Sequence, residues 1–590
     1  MPLSHSRSPA PDRDGRRRPF ARVARVLDPR GALAVHQADG AFLFALRAAL
    51  AMALVALPVV LLGRPDLAVY AMLGSFTTTF GRNLPYRRRA RVLALVGAAM
   101  TACVGCGAVL AAATDPRAGG AGAVAVVAAT AVVAGTAKFA CDTARLGGLG
   151  AVLLLFSFAV AAHTATAYAE VLPRTGLAAA ASAVAWGLAV AGRLVHPDRP
   201  QRLAVAAALR ALADLLRPDA AGKAAAPKRH RATVAVLHAY HSLGRTPPAD
   251  VRPSGREDTC ARLADLSWSL LIGSVRRPPE LLAATPDLLR RQAALLTDRR
   301  RRVAPLLPGL ESTCATVPGG RVPGAVEGDA ARAESTARRA SQLLLGRHPG
   351  GPGHLSVRVV PALRMALGTG VAGGLALLLG LGHGYWAAIS AAAVLHSVTI
   401  RTTAQRAAQR TLGTVVGLLI ALGVLAAHPG PTALAVVIVL LEFLLEYAVV
   451  RNYGLGVVFV TPLALLLSDM AAPVSAGELV YDRGLASFLG ITVGLVCAVL
   501  VVDDHAAVRV ERALAACTRA ADRAERALAS PCGPPSPDVQ GRLVAAVVEL
   551  READDAAAGE LWPAGIDPAE LAAAEHRGYV LLARLHHRWG

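Results

Sequence analysis

The feature that most limits what this chain can fold into is a series of apolar runs almost empty of charge. Most of them reach or pass the ~18 residues that mark a membrane-spanning candidate. Arginines are gathered into the segments between these runs. A helix packed in water needs a charged face toward the solvent, and these runs have none. The bilayer is therefore the solvent they fit. Composition agrees: 54% of the residues are hydrophobic, 17% are charged, and mean hydropathy is +0.45.

Six runs, at 41–62, 67–81, 92–113, 120–139, 146–167 and 175–195, are answered by six more at 360–381, 384–400, 411–427, 431–450, 453–469 and 484–502. Residues 196–358 differ: Arg, Asp and Pro become frequent. Apolar residues there recur at helical spacing, as in the stripe Leu203, Ala206, Leu209, Leu212 and Leu216. The expected fold is all-α: a polytopic membrane protein of two parallel six-helix transmembrane repeats, 41–195 and 359–502. A basic cytoplasmic tail (1–40) precedes them, a soluble helical cytoplasmic domain (196–358) separates them, and a helical cytoplasmic tail (503–590) follows. The repeat shows in Ala45-Leu46-Arg47, answered by Ala362-Leu363-Arg364. Arg145-Leu146-Gly147-Gly148-Leu149-Gly150 is likewise answered by Arg451-Asn452-Tyr453-Gly454-Leu455-Gly456.

Charge placement predicts orientation. RNLPYRRRAR at Arg82–Arg91 and RTTAQRAAQR at Arg401–Arg410 occupy the same place in the two halves, while the intervening connections are nearly neutral. By the positive-inside rule both basic segments and both termini face the cytoplasm. The net charge of +21 and pI near 10.6 do not point to nucleic acid, because no basic stretch interleaves aromatics for base stacking. The eight cysteines form no disulfide framework. No His cluster has metal-ligand spacing, no Walker motif provides for direct ATP coupling, and no nucleophile elbow or paired-carboxylate site suggests an enzyme. No cofactor and no metal are expected.

Transporter sites tend to form where corresponding helices of two halves are short or broken. The second span of each half, 66–81 and 384–400, is barely long enough to cross and unusually polar, with Ser75, Thr77, Thr78 and Thr79 in one and Ser390, His396, Ser397 and Thr399 in the other. Tyr385 and Trp386 offer stacking surface; the alternative is an interfacial aromatic belt. Arg47 and Arg364 lie about 9 Å into their helices at 1.5 Å per residue. Each can fork onto a carboxylate or else snorkel to the headgroups. Glu442 and Glu446 stand one turn apart on a single helix face, with Glu442 about 13 Å from Arg451, near the midplane. A carboxylate there should be protonated or paired: either it couples protons, or it forms a structural ion pair with an arginine such as Arg410.

Several ordered motifs of the second half carry a family resemblance. They are Leu363-Arg364-Met365-Ala366-Leu367, Gly384-Tyr385-Trp386-Ala387-Ala388, and Gln409-Arg410-Thr411-Leu412-Gly413-Thr414-Val415-Val416-Gly417. Asn452-Tyr453-Gly454-Leu455 and Val458-Phe459-Val460-Thr461-Pro462 complete the set. In order and spacing this half resembles the fusaric acid resistance and aromatic acid exporter superfamily; the first half matches more weakly. The resemblance implies a multi-pass efflux protein of the bacterial plasma (inner) membrane, exporting small, aromatic organic anions. Arg410 and Thr461, inside the matched motifs, join Arg47, Arg364, Tyr385 and Trp386 as candidate substrate-binding residues. Glu442 and Glu446 are the candidate proton-coupling pair. Plant aluminium-activated malate channels look like distant relatives, so an anion channel is one alternative. A membrane scaffold with a partner-binding cytoplasmic domain is another. The expected partners are a small organic anion and the lipid bilayer, with self-association left open.

Overall fold

The computed structural model describes residues 40–589 except 83, 116–118, 145, 147–149, 165–166, 218–224, 245–258, 275–284, 301–304, 311–355, 398–399, 472–474, 501–504, 531–536 and 559–565. The basic tail up to Asp39, Arg145 and Gly148 of the repeated motif, the Pro318–Gly324 cluster, Thr399 and the Asp503–Asp504 step lie outside the described residues. Among the described residues every regular element is helical.

The first half comprises α1 (Ala41–Leu61), α2 (Pro65–Ser75) ending in a 3-10 turn (Phe76–Thr79), α3 (Tyr86–Thr114), α4 (Gly120–Ala144), α5 (Gly150–His163) and α6 (Tyr168–Val195). Four less apolar helices, α7 (Arg199–Leu215), α8 (Ala225–Leu243), α9 (Thr259–Gly273) and α10 (Thr285–Thr297), come next. The second half comprises α11 (Ser356–Leu378), α12 (Tyr385–Leu395), α13 (Ile400–Ala426), α14 (Pro431–Val449), α15 (Tyr453–Ala471) and α16 (Ala476–Leu500). The chain closes with α17 (His505–Ala529), α18 (Pro537–Ala558) and α19 (Pro568–Trp589). Among the described residues, nine helices are long and apolar enough to cross a bilayer. The chain is a polytopic, all-α membrane protein.

Among the described residues, three apolar helices fall short of a full crossing: α2, α5 and α12. The shortness of the two second helices was readable from the sequence. That of α5 was not, because its apolar run continues past the helix at both ends. Several other helices begin earlier than hydropathy suggested. Pro85 sits at the N-cap of α3, so the YRRRAR stretch forms its first turns rather than a loop. The segment from Arg401 to Arg410 lies wholly within α13. Arginine is a good helix former, and no breaker separates these residues from the apolar run that follows.

The two halves share one pattern of contacts. In each, the third helix packs on the fifth and sixth, the second on the sixth, and the fourth on the fifth. Contacts between halves are matched as well: α1 lies on α14 as α11 lies on α4, and α2 touches α15 as α12 touches α5. Close approach of the second and sixth helices depends on glycine in both halves. A Cβ on Gly74 of α2 would overlap the carbonyl oxygen of Ala178, and one on Gly490 of α16 would overlap that of Ala387.

Helices α7–α10 and α17–α19, none of which is among those apolar enough to span, form one hydrophobic core, although the second half separates them in sequence. Tyr240 packs edge-on to Trp268, and the Thr233 and Tyr579 hydroxyls meet at 2.9 Å, joining the two segments. This unit touches the base of the first half where Arg88 Nη1 donates to His241 Nε2 at 2.6 Å. Burial, with the Arg88 charge adding to it, pushes the His241 imidazole down to about 4, so it accepts as a neutral ring.

Gly74→Ala and Gly490→Ala should each destabilise the protein by about 1–3 kcal/mol, the usual cost of forcing extra volume into a packed contact. Gly187, whose Cβ would meet nothing within 4 Å, is the control. Thermal unfolding in detergent should give a lower Tm for the first two variants and an unchanged or higher one for Gly187→Ala.

Candidate functional site

Charged side chains inside hydrocarbon must turn toward protein or find partners. In the first half Arg174, on the sixth helix, lies over the ring of Tyr70 on the second at 5.0 Å. It also forms an ion pair with Glu170 one turn away. The second half repeats the device: Arg483, on the sixth helix, lies over the indole of Trp386 on the second at 3.6 Å. Cation–π contacts of this kind strengthen once desolvated. The difference lies in compensation. Arg483 is 2% exposed, and its Nε and Nη1 have no hydrogen-bond partner among the described residues. Its neighbour Asp482 instead meets His383 at 3.2 Å.

Arg483 faces a central cavity of about 90 Å³ between the halves. Phe76, Thr79 and Phe156 come from the first half; Trp386, Arg410, Glu446 and Tyr453 come from the second. Arg410 is buried, donates to Ser390 Oγ at 3.2 Å, and has an unpartnered Nε. The indole of Trp386 stands between two rings, with centroids 5.6 Å from Phe156 and 4.8 Å from Tyr385. The chamber thus holds two buried guanidiniums and a wall of aromatic faces, with Glu446 as the carboxylate among its lining residues. Its volume is below the ~150 Å³ of a dry cavity that admits benzene, so a substituted ring enters only when the walls part.

Glu446 closes one end of this chamber. Its Oε1 accepts from Thr79 Oγ1 at 2.5 Å, a hydrogen bond that joins α14 to the 3-10 turn of the opposite half. That turn exists because α2 stops at Ser75, where three consecutive threonines lie close by. Glu442, one turn away, is fully buried, and neither carboxyl oxygen has a hydrogen-bond partner among the described residues. Neither glutamate forms an ion pair among the described residues, with Arg410 or any other cation.

The remaining sequence candidates lie elsewhere. Tyr385 flanks the chamber, hydrogen-bonding Ser468 Oγ at 3.1 Å and packing on His163 with ring centroids 4.7 Å apart. Arg364 is buried and donates to the carbonyl of Ser397 at 2.9 Å, which ties α11 to the end of the second span. Thr461 returns its hydroxyl to Val457 at 2.9 Å on its own helix and packs where Gly417 lets α13 approach. Arg47 lines a separate, larger cavity at the base of the first half. Sequence reasoning missed Arg483, because the apolar window of that helix was opened one residue later, after the adjacent Asp482-Arg483 charges. The usable signal was its counterpart Arg174, at nearly the same depth in the sixth helix of the first half.

Residues 371–497 match the family described as fusaric acid resistance protein-like, which bears out the resemblance over most of the second half; Trp386, Arg410, Glu442, Glu446 and Arg483 fall within the matched range. Over 223 residues the chain is 33% identical to the uncharacterized membrane protein YvaC of Bacillus subtilis (strain 168), covering 36% of this chain and 34% of that one. The chain therefore matches about a third of the length of that curated relative. No solved structure matches it.

Thr79→Val should cost about 1–3 kcal/mol, because it leaves a buried carboxylate oxygen without its donor. Thr79→Ser should retain most of the stability. Unfolding in detergent with a double-mutant cycle through Glu446→Gln tests the pair, and additivity of the two changes would mean that no coupling exists.

Proposed function

We propose that this protein exports small aromatic organic anions across the bacterial plasma membrane, driven by the proton gradient, with the substrate held in the central chamber between the halves. The observation that carries this reading is the pair of buried guanidiniums, Arg410 and Arg483, beside the Trp386 and Phe156 rings. Two like charges in a low-dielectric enclosure repel each other, and a carboxylate placed between them relieves that repulsion while its ring lies against the aromatic wall. Such a cage prefers an aromatic acid to its neutral amide or to an inorganic cation.

Glu442 and Glu446 are the proton-coupling groups in this reading. Glu446 borders the chamber and is bonded to the opposite half, so separation of the halves breaks its contact with Thr79 and exposes it. Glu442 lies beside it, buried and without a hydrogen-bond partner among the described residues, where its charge state responds to whatever access opens. In the proposed topology the basic segments, both termini and the extramembrane helical unit face the cytoplasm. The arginines gathered at Arg82–Arg91 and Arg401–Arg410 support this by the positive-inside rule.

Reconstituted in liposomes with an imposed pH gradient, the protein should accumulate benzoate or a hydroxycinnamate against its concentration gradient. Glu442→Gln should still bind substrate but lose accumulation. Arg483→Gln should lose binding by 10-fold or more, in line with ~1.5–3 kcal/mol for a hydrogen bond to a charged group. Gradient-independent flux through Glu442→Gln at the native rate would instead identify a channel.

A further inference from the structure

At the junction of the first half and the extramembrane unit lies a second cavity of about 890 Å³, within the range of sites that take up molecules of several hundred daltons. Its cationic lining comes from three helices and the segments beside them: Arg47 on α1, Arg82 and Arg89 around the start of α3, Arg199 and Arg210 on α7, and Arg299 beyond α10. No aspartate or glutamate is among the described residues that line it. Arg47 and Arg82 both lie over the ring of Phe44, at 4.9 and 5.0 Å, and Nε and Nη2 of Arg47 are buried without hydrogen-bond partners among the described residues. Arg89 is fixed by the carbonyls of Gly81 and Arg82, at 3.1 and 2.6 Å.

Helix α1 also gives the cavity an apolar, outward-facing side. Leu43, Leu46 and Leu50 of α1 line the cavity and are 40%, 37% and 45% exposed. They share a face with Leu54, 56% exposed, and continue from the cavity along the surface that acyl chains would cover. The cavity is therefore amphipathic, with a cationic lining and an apolar, outward-facing side. A soluble dianion would use the arginines and leave the leucines bare. The segment preceding Gly40 carries Arg16, Arg17, Arg18, Arg22 and Arg25, so its charge does not complement the cationic lining.

We propose that this cavity binds the headgroup of an anionic phospholipid from the leaflet facing the extramembrane helices, its phosphate among the arginines and its acyl chains along Leu43, Leu46 and Leu50. Basic pockets at the bases of transmembrane helices take such headgroups by charge and by donor geometry. Because the lining joins α1, α3 and α6 to α7, a bound lipid cements the membrane half to the extramembrane unit. The proposal stands apart from the export reading, since it uses none of the central chamber.

Purified full-length protein, delipidated in detergent, tests this by thermal shift. Dioleoyl phosphatidylglycerol should raise Tm by several degrees, whereas dioleoyl phosphatidylcholine, inorganic phosphate and benzoate should not. Arg199→Glu with Arg210→Glu should abolish the shift. The exposed Arg299→Glu, which has little reason to misfold, should reduce it. Arg483→Gln in the central chamber should keep it. An equal shift with phosphatidylcholine, a shift reproduced by phosphate or benzoate alone, or a full shift in both the double variant and Arg299→Glu would each overturn the proposal.

Discussion

Hydrocarbon offers neither hydrogen bonds nor counter-charge, and that one constraint arranges the rest of this protein. Every charged side chain carried within a span has to be turned inward, paired along its own helix, or brought to an end. Lys138 pairs with Asp142 and Arg174 with Glu170, each one turn along the helix. Arg410, Arg483, Glu442 and Glu446 have no such local partner among the described residues, and all four are buried in the second half. The polar interior of the bundle is thus the place where pairing along single helices runs out.

The matched packing of the two halves makes this asymmetry informative. An arginine of the sixth helix rests on an aromatic ring of the second in both halves, and glycine permits that close approach in both. One copy is neutralised by a neighbouring glutamate and serves packing. The other, Arg483, faces the chamber with Arg410 and forms no ion pair among the described residues. Thr79 and Glu446, both in the wall of the same chamber, then join the halves by a hydrogen bond.

Much of the fold was legible in the sequence, because long uncharged apolar runs have one physical solution in a bilayer. The broken second spans were legible too, from their polarity and length. Trp386, Arg410 and Glu446, singled out from sequence, meet in one chamber, whereas Arg47, Arg364 and Thr461 do not line it. Their separation depends on helix rotation, which no spacing rule gives when a helix is buried on several sides. Arg483 was hidden for a different reason: hydropathy windows close at charges, so a charged residue inside a span shortens the window that would reveal it. The shared core of α7–α10 with α17–α19 was hidden by distance along the chain, since amphipathic stripes show that a helix has a partner and not which one.

Trp386 provides the most direct test of the central claim, because it forms the wall against which the anion would lie. With Trp186, Trp268, Trp562 and Trp589 replaced by Phe, its fluorescence reports the chamber alone. The account predicts saturable quenching by aromatic carboxylates, much weaker quenching by the matching neutral amides, and loss of the carboxylate response in Arg483→Gln. Equal quenching by acid and amide, or an undiminished response in Arg483→Gln, would contradict it.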